Sequence, residues 1–237
     1  MPVLQKRVYF CLLRICHYHS AFIVDSMLNE LSSLLMESIL SLNVVSKRYR
    51  LKCLFYVCKA LSPQNPRHIQ FCMSVLPEVI LCLKDASKKV RSTCYELVIL
   101  FAELMHSSSV SYELPDHTQA QASLDQLLVT LTTCLVSDNA HMQAAALLSI
   151  SCVINHFREL SELRATELQV LQLVYSLIKE ENRELVKSCL KYIHKCVRVL
   201  GDDDLMQEKE RMVHAIMVDC GGNKNRYRAR VRRVSLA

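Results

Sequence analysis

One recurring pattern restricts the architecture of this chain more than any composition figure. A small or acidic residue is followed, five positions later, by an apolar residue and then a basic or long polar one. It stands at Ser46 before Leu51-Lys52, at Asp85 before Val90-Arg91, at Ser137 before Met142-Gln143 and at Glu181 before Val186-Lys187. The apolar markers lie 39, 52 and 44 residues apart, within the range of periods at which helical supersecondary units stack. Serine, aspartate or glutamate at such a point satisfies orphan amides at a helix start or favours its positive end, and the marker opens an inward stripe. Leu185, Val186, Cys189, Leu190, Ile193, Cys196, Val197 and Leu200 form one such stripe; Val90, Cys94, Leu97, Val98, Phe101 and Leu104 form another. The pattern predicts second helices opening near Leu51, Val90, Met142 and Val186, with partner helices over 22–42, 67–84, 120–136 and 164–179. Paired helices at this spacing make an all-α solenoid of about five helix pairs.

Composition supports helices and excludes several alternatives. Three glycines, five prolines and 51% apolar residues in a chain of 237 leave no room for collagen-like, low-complexity or disordered readings. The solenoid is expected over residues 1–222, interrupted by a serine-rich loop insertion over 107–122. Gly201 ends a helix, Asp202 to Asp204 start another that runs through Val218, and Gly221-Gly222 breaks it. Residues 223–237 then read as the basic opening of an incomplete repeat helix. No apolar run reaches the roughly 18 residues of a membrane span, and the apolar stretch after Lys6-Arg7 stops at Arg14, short of a secretory core. An intracellular chain with reduced thiols is expected.

The twelve cysteines are then packing residues rather than disulfides or metal ligands. Cys11 and Cys16, like Cys53 and Cys58, are five residues apart, which on a helix turns the sulfurs about 140° away from each other. Cys16, His17 and His19 form one local cluster and lack further ligands in register, so no metal is expected.

The formal charge of +6 has an address. Lys224, Arg226, Arg228, Arg230, Arg232 and Arg233 lie in a tail without acids, and residues 1–222 carry 23 basic against 23 acidic side chains. In the tail, arginines alternate around Tyr227, which suits phosphate contacts plus a stacking ring. A second basic group, Lys47, Arg48, Arg50 and Lys52, surrounds Tyr49 at an expected helix start, where cations oppose the helix dipole and a bound polyanion would relieve the cost. Arg232-Arg233-Val234-Ser235 makes Ser235 a candidate phosphorylation site. No phosphate-binding loop, zinc-protease helix or nucleophile elbow is present, so no catalytic residue, cofactor or small-molecule substrate is expected.

Val75-Leu76-Pro77-Glu78-Val79-Ile80-Leu81-Cys82-Leu83-Lys84-Asp85, followed by Val90-Arg91, resembles a HEAT repeat, with proline in the first helix, aspartate at the turn and Val-Arg opening the second. Together with Lys47-Arg48-Tyr49-Arg50-Leu51-Lys52-Cys53-Leu54, Val186-Lys187-Ser188-Cys189-Leu190 and Arg226-Tyr227-Arg228-Ala229-Arg230-Val231-Arg232, it resembles the C-terminal half of the ribosomal RNA-processing protein twelve family. That resemblance implies a nuclear, nucleolar, non-catalytic scaffold that partners pre-ribosomal RNA and proteins, with a role in particle export and nuclear transport factors as further partners. A karyopherin-like or phosphatase-scaffold-like adaptor is the alternative, though the strongest patches here are basic where a karyopherin groove is usually acidic.

Overall fold

The computed structural model describes residues 2–38, 43–110, 118–158, 160 and 163–219. All regular elements among them are helical, so the all-α class expected from the pattern is the observed one. Contacts divide the chain into two compact units, Met1–Leu128 and Val129–Ala237.

Asparagine starts four of the helices. Asn43 opens α4 (Val44–Lys59), Asn65 opens α5 (Pro66–Cys82), Asn139 opens α8 (Ala140–His156) and Asn182 opens α10 (Arg183–Val199). Each side-chain oxygen accepts from one or two amides in the first turn, at 2.9 to 3.2 Å. These caps satisfy donors that have no partner within the helix. Met142 and Val186 therefore fall at the third and fourth residues of their helices, and Val90 is likewise the third residue of its own, which starts at Lys88, close to expectation.

Three boundaries differ from the sequence reading. Leu51 does not open a helix: with Asn43 as the cap, α4 begins seven residues earlier and Leu51 sits in its middle. The expected helix over 22–42 is two helices, α2 (Ser20–Ser26) and α3 (Leu28–Ser38), parted at Met27 with φ −135° and ψ 15°. Asp25, Ser26 and Asn29 flank that break, and such side chains offer the backbone competing hydrogen bonds. The loop expected over 107–122 shrinks, because α6 (Lys88–Val110) continues through the serines and α7 (Thr118–Leu135) opens at Thr118. The buried stripe Val98, Phe101, Ala102 and Met105 runs along α6 as far as the serines, and residues 111–117 lie outside the described ones.

In the first unit, α1 (Pro2–Tyr18) packs on α4, α4 on α6, and α6 on α5. Leu51, Leu54, Val57, Leu76, Val79, Leu97 and Phe101 are wholly buried there. Thiols meet in pairs between helices of this unit: Cys16 of α1 with Cys53 of α4, Cys58 of α4 with Cys72 of α5, and Cys82 of α5 with Cys94 of α6. In the second unit, α10 packs on α8 and on α9 (Leu163–Leu177). The small side chains of Ala144, Ala145 and Ala146, all fully buried, let a neighbouring backbone approach closely. Helix α11 (Asp202–His214) starts on its three aspartates and passes into a π-helical turn, Ala215–Asp219, so the helix expected from Asp202 through Val218 is present.

Eight of the eleven described cysteines are buried and all eleven are free thiols. Among the described residues no helix is long and apolar enough to cross a membrane, and no three His, Cys, Asp or Glu side chains converge as metal ligands would. Cys16 turns inward to Cys53 while His17 stacks outward on Tyr56, with ring centroids 4.4 Å apart.

Candidate polyanion-binding surface

The four basic residues singled out in α4 have four different surroundings, decided by helical phase. Counting 100° per residue from Val44 places Arg50 beside Leu54 and Val57 on the buried side, and Arg48 and Lys52 together on the outer side.

Arg50 is wholly buried. Its Nε and Nη2 donate to the two carboxylate oxygens of Glu78 at 2.7 and 2.8 Å, and its Nη1 donates to Tyr9 Oη at 3.1 Å and Ser38 Oγ at 3.0 Å. Burial works against the charge, yet Glu78 and Tyr9 hold the guanidinium above the usual arginine range. As a candidate polyanion ligand Arg50 is therefore corrected: it is the core of a buried cluster that ties α1, α3 and α5 to α4, and no phosphate can reach it.

Lys47 donates to Asp85 at 2.9 Å and is about a quarter exposed. The bond to Asp85 holds its ammonium above the usual lysine range. Asp85, at the turn between α5 and α6, also accepts from the Ser87 amide at 2.8 Å, while Arg91 donates to the carbonyls of Asp85 and Ala86 at 2.7 and 2.8 Å. Although burial pushes the other way, these bonds hold the Asp85 carboxyl below the usual carboxylate range. Lys47 thus pins α4 to the neighbouring turn, and its charge is largely compensated.

Arg48 and Lys52 are half-exposed, although the Arg48 Nε itself is buried and has no hydrogen-bond partner among the described residues. The same face continues through Phe55 and Tyr56 to the exposed Lys59, at steps of three and four residues from Lys52. Phe55 and Tyr56 lie edge to face at 5.6 Å, and Tyr49 meets Phe10 the same way at 5.7 Å. The structure therefore replaces a run of four cations with a stripe of three, Arg48, Lys52 and Lys59, interleaved with rings. Phosphate contacts and stacking are what such a stripe offers. Lys59 was not singled out from the sequence because the run ends at Lys52; the spacing of seven to Lys59 shows once α4 is phased from Val44. Lys224, Arg226, Tyr227, Arg228, Arg230, Arg232, Arg233 and Ser235 lie outside the described residues.

The second unit holds a cavity of about 260 Å³ beside Phe157, Arg158, Leu163, Arg164 and Glu167. Glu167 is almost fully buried and its Oε1 has no hydrogen-bond partner. Burial pushes its carboxyl up to about 7, against the pull of the Cys196 thiol and Arg164. Arg164 itself bonds Asp204 at 3.1 Å.

Among the described residues, packed helices carry a basic and aromatic stripe over a charge-compensated interior, and the protein is of the all-α class. No protein-family model matches the chain. It is 30% identical over 217 residues to the RRP12-like protein of Gallus gallus and 29% identical over 215 residues to that of Homo sapiens, in both cases covering 90% of this chain. Ribosomal RNA-processing protein 12 of Saccharomyces cerevisiae matches at 23% identity over 87% of it. The chain is thus a homologue of one segment of the ribosomal RNA-processing protein 12 family, and it spans 16 to 17% of the length of those relatives. A crystal structure of an engineered protein aligns over the whole chain at a TM-score of 0.43 and 10% identity, too distant to define the fold.

Proposed function

We propose that this chain is a non-catalytic scaffold of HEAT type in ribosome biogenesis, binding pre-ribosomal RNA and proteins during rRNA processing and subunit export in the nucleus and nucleolus. The observation that carries the reading is similarity across 90% of the chain to two RRP12-like proteins and across 87% to one named ribosomal RNA-processing protein 12. The outer stripe of α4 supports it, because half-exposed cations at helical spacing between aromatic rings suit a single-stranded RNA backbone and its bases. The tail cations from Lys224 to Arg233 would add phosphate contacts, and Ser235 beside them would weaken those contacts when phosphorylated.

Isolating the chain from nuclear extract with and without ribonuclease tests the reading. Pre-ribosomal RNA and proteins are expected without the enzyme and lost with it. Ribonuclease-resistant co-purification of a transport GTPase instead would favour the adaptor reading. In vitro, binding to single-stranded RNA is expected to weaken steeply with salt. Changing Arg48, Lys52 and Lys59 to glutamine is expected to lower the slope of log K against log salt by about 2. A slope unchanged by the triple substitution would remove α4 from the RNA surface.

A further inference from the structure

Helix α1 buries one side and leaves the other open. Tyr9 and Cys16 are buried, and Gln5, Leu12 and Leu13 are half-buried with them on the side that packs on α4. The opposite side carries Leu4, Val8, Cys11, Ile15 and Tyr18, at successive steps of four, three, four and three. That is the heptad spacing at which two helices pack along a shared seam, with β-branched Val8 and Ile15 alternating with the others. Leu4 is 57% exposed, Val8 55%, Ile15 48% and Tyr18 62%, and Cys11 is the exposed thiol among the described cysteines. A single exposed aliphatic residue is ordinary surface; a row of them at this period is a face that no other described residue covers.

Charge says what the partner is. Arg7 and Arg14, one heptad apart and both exposed, stand immediately before Val8 and Ile15, the positions that in paired helices face charges on the other strand. Arg14 also lies over the Tyr18 ring at 5.2 Å. With Lys6, helix α1 holds three cations and no acid. A second copy packed antiparallel would set these arginines against each other, at a cost in affinity. Nucleic acid would meet the cations and leave the apolar row in water.

We infer that the outer face of α1 is a docking seam for an amphipathic helix of a protein partner, one whose apolar residues repeat every 3.5 positions and whose flanking positions are acidic. The inference does not rest on the RNA reading, which concerns α4 and the tail.

Labelled helical peptides about four heptads long, with one shared Val/Leu seam and flanking positions either all Glu or all Lys, test it by fluorescence anisotropy against the full 237-residue chain. The Glu peptide is expected to bind at least about tenfold more tightly than the Lys peptide. Ile15→Glu is expected to abolish binding, and the double change Arg7→Glu with Arg14→Glu to reverse the preference. All three sites are exposed, so unchanged helical circular dichroism separates lost docking from lost folding. Equal binding of both peptides, or binding that survives Ile15→Glu, overturns the inference. So does concentration-dependent dimerisation of the chain that Ile15→Glu removes without peptide binding, which would make the occupant a second copy. Phosphatidylserine vesicles that bind α1 in place of either peptide would make it a membrane surface, and would equally overturn it.

Discussion

Replacing Arg50 with methionine would leave the Glu78 carboxylate buried, facing two donors fewer and no cation. Both partners are all but inaccessible, and the pair is bidentate, so the lost attraction is not returned by water. Stranding one member of such a pair costs about 3–5 kcal/mol. Tyr9 and Ser38 do not add much to this, because their hydroxyls already bond each other at 2.7 Å and stay satisfied without the guanidinium. Against a domain stability of roughly 5–15 kcal/mol, the single substitution removes a large part of what holds the first unit together. With a urea dependence of about 2 kcal/mol/M, the midpoint of its unfolding is expected to fall by about 2 M, read by circular dichroism. Exchanging both residues, Arg50→Met with Glu78→Leu, is expected to recover most of that loss, because two apolar chains of similar volume need no compensation. A midpoint shift of less than a third of this for Arg50→Met, or a double variant that loses the sum of the two single losses, would refute a stranded carboxylate as the source of the cost. RNA binding supplies a second check: Arg50→Met is expected to leave the salt slope of the folded chain unchanged, since its charge never reaches solvent.

Two further perturbations follow from the helix starts and from the second unit. Asn182→Ala removes an acceptor shared by the Glu184 and Leu185 amides and is expected to cost about 1 kcal/mol, measured as a lowered midpoint for the second unit. Glu167 is protonated more readily in the folded chain than in the unfolded one, with a folded value of about 7 against an ordinary 4.5. Its contribution is favourable below the lower value and is lost as pH rises through the upper one, so stability of the second unit is expected to fall between roughly pH 4.5 and 7 by up to about 3 kcal/mol. Glu167→Gln is expected to flatten that limb and to raise the melting temperature at pH 8; a pH profile identical to that of the parent would show that Glu167 is not its source.

Much of the fold was legible because apolar spacing at 3.6 residues survives without any knowledge of partners. The segment 67–84 is recovered as Pro66–Cys82, and the stripe from Leu185 to Cys196 is the buried side of α10. What escaped is information that lies far along the chain or depends on phase. Asn43 precedes its recurring marker by eight residues, so in sequence alone the marker reads as the start and the cations around it as a helix terminus. Phase then decided the site: one residue of rotation separates half-exposed Arg48 from a side that takes Lys47 to Asp85, and two put Arg50 in the core. The partner that makes Arg50 buriable, Glu78, is 28 residues away in a helix that reads as an unremarkable HEAT-like segment. A run of like charges on one helix can belong to the surface, to a joint and to the interior at once.

The thiols that meet between α1, α4, α5 and α6 make the first unit a recorder of its own openings. An alkylating reagent meets Cys11 at once, whereas Cys16, Cys53, Cys58, Cys72, Cys82 and Cys94 become available only when a particular pair of helices parts. The order in which those six acquire the label, read by mass spectrometry, therefore reports which seam loosens first and which is last to yield, in the unaltered chain and without an added probe.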